Sequence, residues 1–480
     1  MSYLDTITHM IIVIICVIVN LISDLPCWND LFFRVCFSER IFVECIKGTD
    51  LINAMDLNTK LEFLGCHGEV GSSLWWSLLK AERAPFVKNQ SCVQFIWRDP
   101  QGDKHSSDIA CVILDVNSIT DHHTWTPKCL QRVDGTDVWF AELDINPQWR
   151  GSYSFIPLTA DQLPEVVKQQ GDGSVSAQRA WWISIAAQQT ADPLNPLPVL
   201  HSGWGVSSAL HMPNAPKEIG WEAWDKGDLP SIAHDVIKTF HWVSESLVNK
   251  RHCQLYSTAK GEAPFVILLD GQKWGVESGC LSVLDFLTDQ KQLPPAHYLL
   301  VPSIDSKSRW QELSCHRPFW DAIHNELLPD VAQYLNHIAC SPSEYLVAGQ
   351  SLGGLSSLYA GLTFPEQYRK IISLSGSYWW PEVNRMHASH LEEAPSNCPP
   401  KGGLTEGLEN KTLDAAHLSV YQAVGSGEAD MCFYNDQMLN ALDNSGADVC
   451  YHVFCGGHDW LSWRSGLVDG LRYLLLSEVD

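Results

Sequence analysis

No stretch of this chain concentrates basic charge. Lys and Arg total 32 against 56 Asp and Glu, a formal net charge of −24. A phosphate-binding surface needs a dominant basic patch, so nucleic acid is not the expected partner. An anionic substrate would have to be met by a few local Arg or Lys residues. The 16 cysteines form no C-x-x-C pair and no dense cluster. That spacing excludes a secreted disulfide framework and fits free thiols in the reducing cytoplasm. Repeats and low-complexity tracts are missing as well.

A membrane-spanning run is also missing. MIIVIICVIVNLI (10–22) is apolar except for Asn20, but it is shorter than the ~20 residues that cross a bilayer. No Lys or Arg precedes it and no clear small-residue cleavage site follows it, so it does not read as a signal peptide. Arg34, Arg40 and Lys47 come after it; if it inserted as an anchor, they would leave the downstream chain in the cytoplasm. Translation from Met55 would leave this segment out of the natural protein. Residues 1–67 are therefore set apart as an extension of unknown role.

What remains is globular: 45% apolar and 18% charged residues over a 480-residue chain, too long for one core. The 20 Trp residues suggest aromatic surfaces for a flat ligand, although any single Trp is more simply explained as core. From 68 to 216 short alternating runs are broken by turns: VQFIWRDPQGD (93–103), ACVILDVN (110–117), DVWFAELDI (137–145) and GSYSFIPL (151–158). This pattern predicts a β-sandwich domain. Segment 159–200 reads as an excursion with one helix-like piece, and ALHMPNAPKEIGW (209–221) as a linker. From 217 to 480 the pattern changes. PFVILLDG (264–271) and HYLLVPSID (297–305) are continuous apolar runs, as in strands buried on both faces. Phe319, Ile323, Leu327, Val331 and Leu335 recur every four residues, as on one helix. EYLVAGQ (344–350), KIISLSGS (370–377), LSVYQAVGSG (418–427) and VCYHVFCGG (449–457) alternate with helical stretches. The predicted class is α/β: a mostly parallel sheet of α/β-hydrolase type after an N-terminal β-sandwich.

Gly349-Gln350-Ser351-Leu352-Gly353 fits G-x-S-x-G, with an apolar strand before it and helical spacing after it. In that motif the serine sits on a strained strand-to-helix turn, and flanking glycines relieve a backbone clash. Ser351 is the candidate nucleophile. Chain order then calls for an acid and a histidine. His458, in CGGHDW after the last strand, is the candidate base; His452, inside that strand, reads as packed. VGSGEAD (424–430) offers Glu428, preferred, or Asp430 as the acid. Asp459 is out of order and reads as a surface or capping residue. The oxyanion hole would use the Leu352 N–H and a second donor at Gly271 or Gln272. His387-x-x-His390 with Cys398 matches no common metal-ligand spacing, and His122-His123 is equally weak, so no metal site is expected.

These residues resemble the enterochelin (enterobactin) esterases. The match runs through WRDPQG (97–102), TDHH (120–123), WRGSYSFIP (149–157), ADPLN (191–195), LLDGQKW (268–274), QLPPA (292–296), AGQSLGGLSSLYAGL (348–362), SGSYWWP (375–381) and GGHDWLSWRSGL (456–467). The resemblance implies a cytoplasmic serine esterase that opens the trilactone of ferric catecholate siderophores. Iron would enter only with the substrate, and no cofactor would be needed. It also implies that Arg309 meets the anionic ligand and that Trp274, Trp379 and Trp380 wall the pocket. Leu352 stands where family members usually carry Phe. Rival readings are a general carboxylesterase or acyltransferase, and a siderophore-binding protein without turnover.

Overall fold

In the computed structural model, residues 69–82, 84–171, 173–201, 205–336, 345–381 and 401–476 are described. Segment 10–22, Met55 and the His387, His390 and Cys398 group lie outside them.

Two four-stranded antiparallel sheets form the first half. One has the order β1 (Phe86–Val87), β2 (Cys92–Arg98), β5 (Val138–Asp144), β4 (Gln131–Arg132). The other runs β3 (Ile109–Val116), β6 (Arg150–Thr159), β8 (Val206–His211), β7 (Leu200–His201). Successive side chains on a strand point to opposite faces. Val93, Phe95 and Trp97 of β2 therefore share a core with Val112, Leu114 and Val116 of β3 and Tyr153 and Phe155 of β6. The second sheet is apolar on its outer face too. There Ile113, Ile156 and Leu158 are covered by Trp181 and Ile185 of the helix Val175–Ala186. The excursion at 159–200 thus holds two helices, Pro164–Gln170 being the other, and it serves as a lid on the sandwich.

The presumed linker is not loose. Ala209, Leu210 and His211 belong to β8 and pair with β6. Beyond them Glu218 and Asp225 meet Arg464, with Arg150 and His211 beside the Glu218 carboxylate. Two guanidinium groups already neutralise this cluster, so it reads as an ion network that joins the halves, not as a cation site.

The second half is one eight-stranded sheet. Its order is β16 (Asp448–Phe454), β15 (Ser419–Gly425), β14 (Tyr368–Leu374), β13 (Tyr345–Gln350), β11 (Phe265–Leu269), β12 (His297–Val301), β10 (Asn249–Ser257), β9 (Lys238–Ser244). The strands from β16 to β12 run parallel, and β9 and β10 are antiparallel. Phe265, Ile267 and Leu269 face one core and Val266 and Leu268 the other, which is why β11 reads as an unbroken apolar run. Strands β9 and β10 give no such signal, because the edge strand β9 buries only Trp242 and Ser244. His452 is exposed, not packed, because β16 is the opposite edge.

The four-residue repeat from Phe319 to Leu335 is not one regular helix. An α-helix turns 100° per residue, so a spacing of four overruns by about 40° at each step. The chain forms Arg317–Ala322, a π-turn at Ile323–Leu327, then Leu328–Asn336. The wider turn offsets the drift, and all five apolar residues stay in one core.

Burial would raise the carboxyl pKa of Glu218, but Arg464, with Arg150 and His211, outweighs it and holds it down at about 2. The folded value lies below the ordinary one. Its stabilisation is therefore complete above about pH 4.5 and is lost as pH falls toward about 2. Replacing Glu218 by Gln leaves Arg464 under-neutralised inside the protein. The variant is expected to lose about 3 kcal/mol and to keep less of the acid sensitivity, checked by thermal unfolding at pH 7 and pH 4.

Candidate active site

The carboxyl ends of four adjacent strands converge on one edge of the large sheet. After β13 comes Ser351, after β14 Ser375 and Ser377, after β15 Glu428, and after β16 His458. On the other side of β13, strand β11 delivers Asp270 and Gly271. In open α/β sheets this edge is where ligands bind.

Ser351 has φ 57° and ψ −120° and is the N-cap of helix α1 (Leu352–Thr363). Among the described residues eight non-glycine positions have positive φ, and Ser118, Asp270, Ser351 and Ser375 of these surround the site. Such backbone costs about 1–3 kcal/mol per residue and concentrates where function needs it. The strain at Ser351 is held by its N–H donating to the Leu374 carbonyl (2.8 Å) and its carbonyl accepting from the Ser377 N–H (3.1 Å). The hydroxyl partner of Ser351 among the described residues is Ser377, Oγ to Oγ 3.4 Å. It is not yet the imidazole, and such bonds are often loose before substrate binds.

The glycines of the elbow are not equivalent. A Cβ on Gly349 would come within 2.5 Å of the Gly353 backbone, but one on Gly353 would meet nothing closer than 3.7 Å. The expected clash therefore holds for the first glycine of the motif and not for the second. Gly354 is the tighter position, 2.7 Å from Ser373 Oγ.

His458 donates Nδ1–H to Glu428 Oε2 at 2.6 Å. The other oxygen, Oε1, accepts from Ser375 Oγ (2.6 Å) and the Gly425 N–H (2.8 Å). Ser375 Oγ accepts in turn from Trp463 Nε1 (2.9 Å). The Trp463 ring stands edge-on to the imidazole, centroids 4.6 Å apart. The Glu428 side chain is 1% exposed and that of His458 40%, so the carboxylate is enclosed and the imidazole faces solvent. Asp430 lies in the first turn of helix α2 (Ala429–Asn444), and among the described residues it is Glu428, not Asp430, that bonds the imidazole. Ser375 and Trp463 carry no role in the sequence, because a serine and a tryptophan that support a carboxylate have no spacing of their own. The stretches SGSYWWP and GGHDWLSWRSGL that contain them were their trace in the sequence.

The Leu352 N–H opens helix α1 and belongs to the turn that lacks intrahelical partners. Its side chain is packed in the core and does not shape a pocket. Gly271 and Gln272 open a short 3-10 turn after Asp270. This turn approaches the elbow, where Gly353 lies 3.7 Å from Asp270 and Leu269 measured from its ideal Cβ. Gly271 has to be glycine here, since a Cβ would come within 2.6 Å of the Leu300–Val301 backbone.

The ligand-binding expectations need correction. Trp274 is fully buried and packs on Trp460, centroids 4.2 Å apart; with no exposed surface it cannot wall a pocket. Arg309 is ion-paired with Asp270 through Nε and Nη2. Asp270 also accepts from Ser303 Oγ (2.6 Å) and Gln350 Nε2 (3.1 Å). Arg309 thus braces the loop that carries Gly271, and only its half-exposed edge is left for an anion. Trp379 is buried and Trp380 half-buried. Trp310, one residue beyond Arg309, is 39% exposed and lies 5.9 Å from Trp379 and 5.7 Å from Trp380 between centroids. It is the exposed member of that aromatic group, and the sequence reading passed over it. Asp459, expected as a surface or capping residue, is 3% exposed and accepts the Leu461 N–H at the start of the last helix, so it caps but is not at the surface; burial pushes its carboxyl pKa up, against the pull of bonds from Ser152 and Leu461.

Comparison with known proteins fits this geometry. The family model "Enterochelin esterase, N-terminal" matches residues 92–221, and the esterase model matches 244–474. The iron(III) enterobactin esterase of Dickeya dadantii is 39% identical over 420 residues, 85% of this chain and 94% of that protein. That of Escherichia coli K12 is 35% identical over 409 residues, 84% of this chain and 96% of the relative. The enterobactin esterase of Shigella flexneri, crystallised in the presence of enterobactin, superposes with a TM-score of 0.72 at 34% identity and covers 86% of this chain and 100% of its own.

Gly349→Ala is expected to yield little folded protein, whereas Gly353→Ala should fold and keep activity within about threefold. Soluble yield and hydrolysis of p-nitrophenyl butyrate by the two variants check this; equal behaviour would contradict the asymmetry.

Proposed function

Since the chain belongs to the enterobactin esterase family, we propose that it hydrolyses the trilactone esters of ferric enterobactin-type catecholate siderophores, with Ser351, His458 and Glu428 as its catalytic residues. The observation that carries the assignment of roles is the 2.6 Å bond from His458 to the enclosed Glu428, on the edge where the Ser351 elbow emerges.

Ser351 Oγ attacks the ester carbonyl carbon while His458 Nε2 takes its proton. Glu428 holds the Nδ1–H tautomer and balances the imidazolium that forms. The carbonyl oxygen becomes an oxyanion, stabilised by the Leu352 N–H and by that of Gly271 or Gln272. Collapse expels the seryl alcohol of the substrate, protonated by His458, and leaves an acyl group on Ser351. Water, deprotonated by His458, attacks this ester, and Ser351 Oγ leaves with the proton. No resident metal or cofactor takes part, and the iron arrives in the substrate. Each cut reduces the number of tethered catechols, which weakens chelation and eases iron release. Trp310, Trp380 and the edge of Arg309 offer flat and cationic surfaces to the catecholates. None of the described helices is long and apolar enough to cross a membrane.

Wild type should release 2,3-dihydroxybenzoylserine from ferric enterobactin, followed by chromatography. Ser351→Ala and Glu428→Gln should each lower kcat by about four orders of magnitude, and Asp430→Asn by no more than about threefold. If wild type turns over p-nitrophenyl butyrate and leaves the trilactone intact, the siderophore assignment fails. If Asp430→Asn is the inactive variant, the acid is misassigned.

A further inference from the structure

The segment that carries His458 is fastened by the other half of the molecule. Every residue from Cys455 to Asp459 meets the β-sandwich or stands where its close approach leaves no room for a side chain. The Arg150 N–H, at the start of β6, donates to the Cys455 carbonyl (3.1 Å). Asn117 Nδ2, just past β3, donates to the His458 carbonyl (3.2 Å). The Ser152 N–H and Oγ both donate to Asp459 Oδ2, each at 2.6 Å. Cys455 packs against the sandwich core. On the other side, Asp459 Oδ1 accepts the Leu461 N–H (2.7 Å) and so caps helix α3 (Trp460–Leu476).

The two glycines between these anchors are a steric consequence. A Cβ on Gly457 would lie 1.6 Å from Ser118 Oγ and 2.4 Å from Asn117 Oδ1, and one on Gly456 would lie 2.7 Å from the Arg150 carbonyl oxygen. The left-handed turn at Ser118, φ 59°, presents the sandwich to this glycine pair. C-G-G-H-D is thus a docking sequence as well as the source of the histidine.

We infer that the β-sandwich is a positioning element for catalysis: Asn117 and Ser152 are positioning residues that set the backbone on both sides of His458, the latter through Asp459. The inference rests on the reading of His458 as the base. Among the described residues the His458 ring has one hydrogen bond, to Glu428, and one edge contact, to Trp463. The site of its Cα is therefore decided by the loop, and the loop by the sandwich. A shift of about 1 Å in a reacting group can cost about 100-fold in rate.

The test uses the full chain with Asn117→Ala, Asp459→Ala, Asp459→Asn and Ser351→Ala, measuring kcat and KM on ferric enterobactin and on p-nitrophenyl butyrate, with thermal midpoints. Asn117→Ala is expected to lower kcat about tenfold and Asp459→Ala about 100-fold on both substrates, with KM within twofold. Asp459→Asn, which keeps one acceptor oxygen, should recover part of the loss. The low-field proton resonance of the His458–Glu428 bond should broaden in Asn117→Ala at an unchanged midpoint. Wild-type kcat in both Asn117→Ala and Asp459→Ala would overturn the inference, as would a rise in KM at constant kcat. A fall of kcat only where the midpoint also falls would reduce these contacts to ordinary stability and overturn it too. Full activity in Ser351→Ala would instead overturn the reading of the catalytic residues, a separate result.

Discussion

The Glu428 carboxylate is the junction on which the site closes. Its oxygens take three hydrogen bonds from three segments: His458 after β16, Ser375 after β14 and the Gly425 N–H at the end of β15. A buried carboxylate is costly unless its lone pairs are filled, and here neighbouring strands fill them. That requirement fixes the serine elbow as well. Ser375 follows Leu374, whose carbonyl accepts the Ser351 N–H. A displacement at Glu428 is therefore transmitted to the His458 imidazole directly and to Ser351 through one strand. Trp463 extends the chain by donating to Ser375 while its ring sits against the imidazole.

The strained residues make sense within this frame. Asp270, Ser351 and Ser375 leave parallel strands in left-handed conformations, and each is held by bonds that compensate for the strain. Asp270 is held by Arg309, Ser303 and Gln350. The strand ends thereby turn sharply toward a common point rather than continuing past the sheet edge. Arg309, read at first as a cation for the ligand, takes part in this bracing. The aromatic surface next to it, at Trp310 and Trp380, is better placed for flat rings than the enclosed Trp274.

The sandwich and the large sheet are joined through the start of helix α3 and the segment before it. Arg464, in helix α3, is gripped by Glu218 and Asp225 at one end of the junction. The same helix begins at Asp459, bonded to Ser152 at the other. Arg150 contributes to both, through its backbone to Cys455 and through its guanidinium beside Glu218. The segment from His211 to Asp225 has to be ordered for this, which is why a proline-rich stretch that looked like a tether is part of the packing.

The sequence alone determined the class of the fold and singled out Ser351 and His458 as candidates, with Glu428 or Asp430 beside them. Those signals are local or follow chain order: apolar periods of two, unbroken runs for doubly covered strands, and glycines around a serine. It overreached where a residue type has two outcomes. Trp274 could wall a pocket or fill a core, and Arg309 could meet a ligand or brace a loop; neither difference is written in spacing. The edge hairpin Lys238–Ser257 left little trace, because its outer strand buries only Trp242 and Ser244. Only the tertiary structure separates Glu428 from Asp430, since it is Glu428 that reaches the imidazole. It also decided the company of Ser375, Trp463, Asn117 and Ser152. The last two lie more than 300 positions from His458 along the chain, and contact between such distant segments depends on how two domains pack, not on any pattern within either.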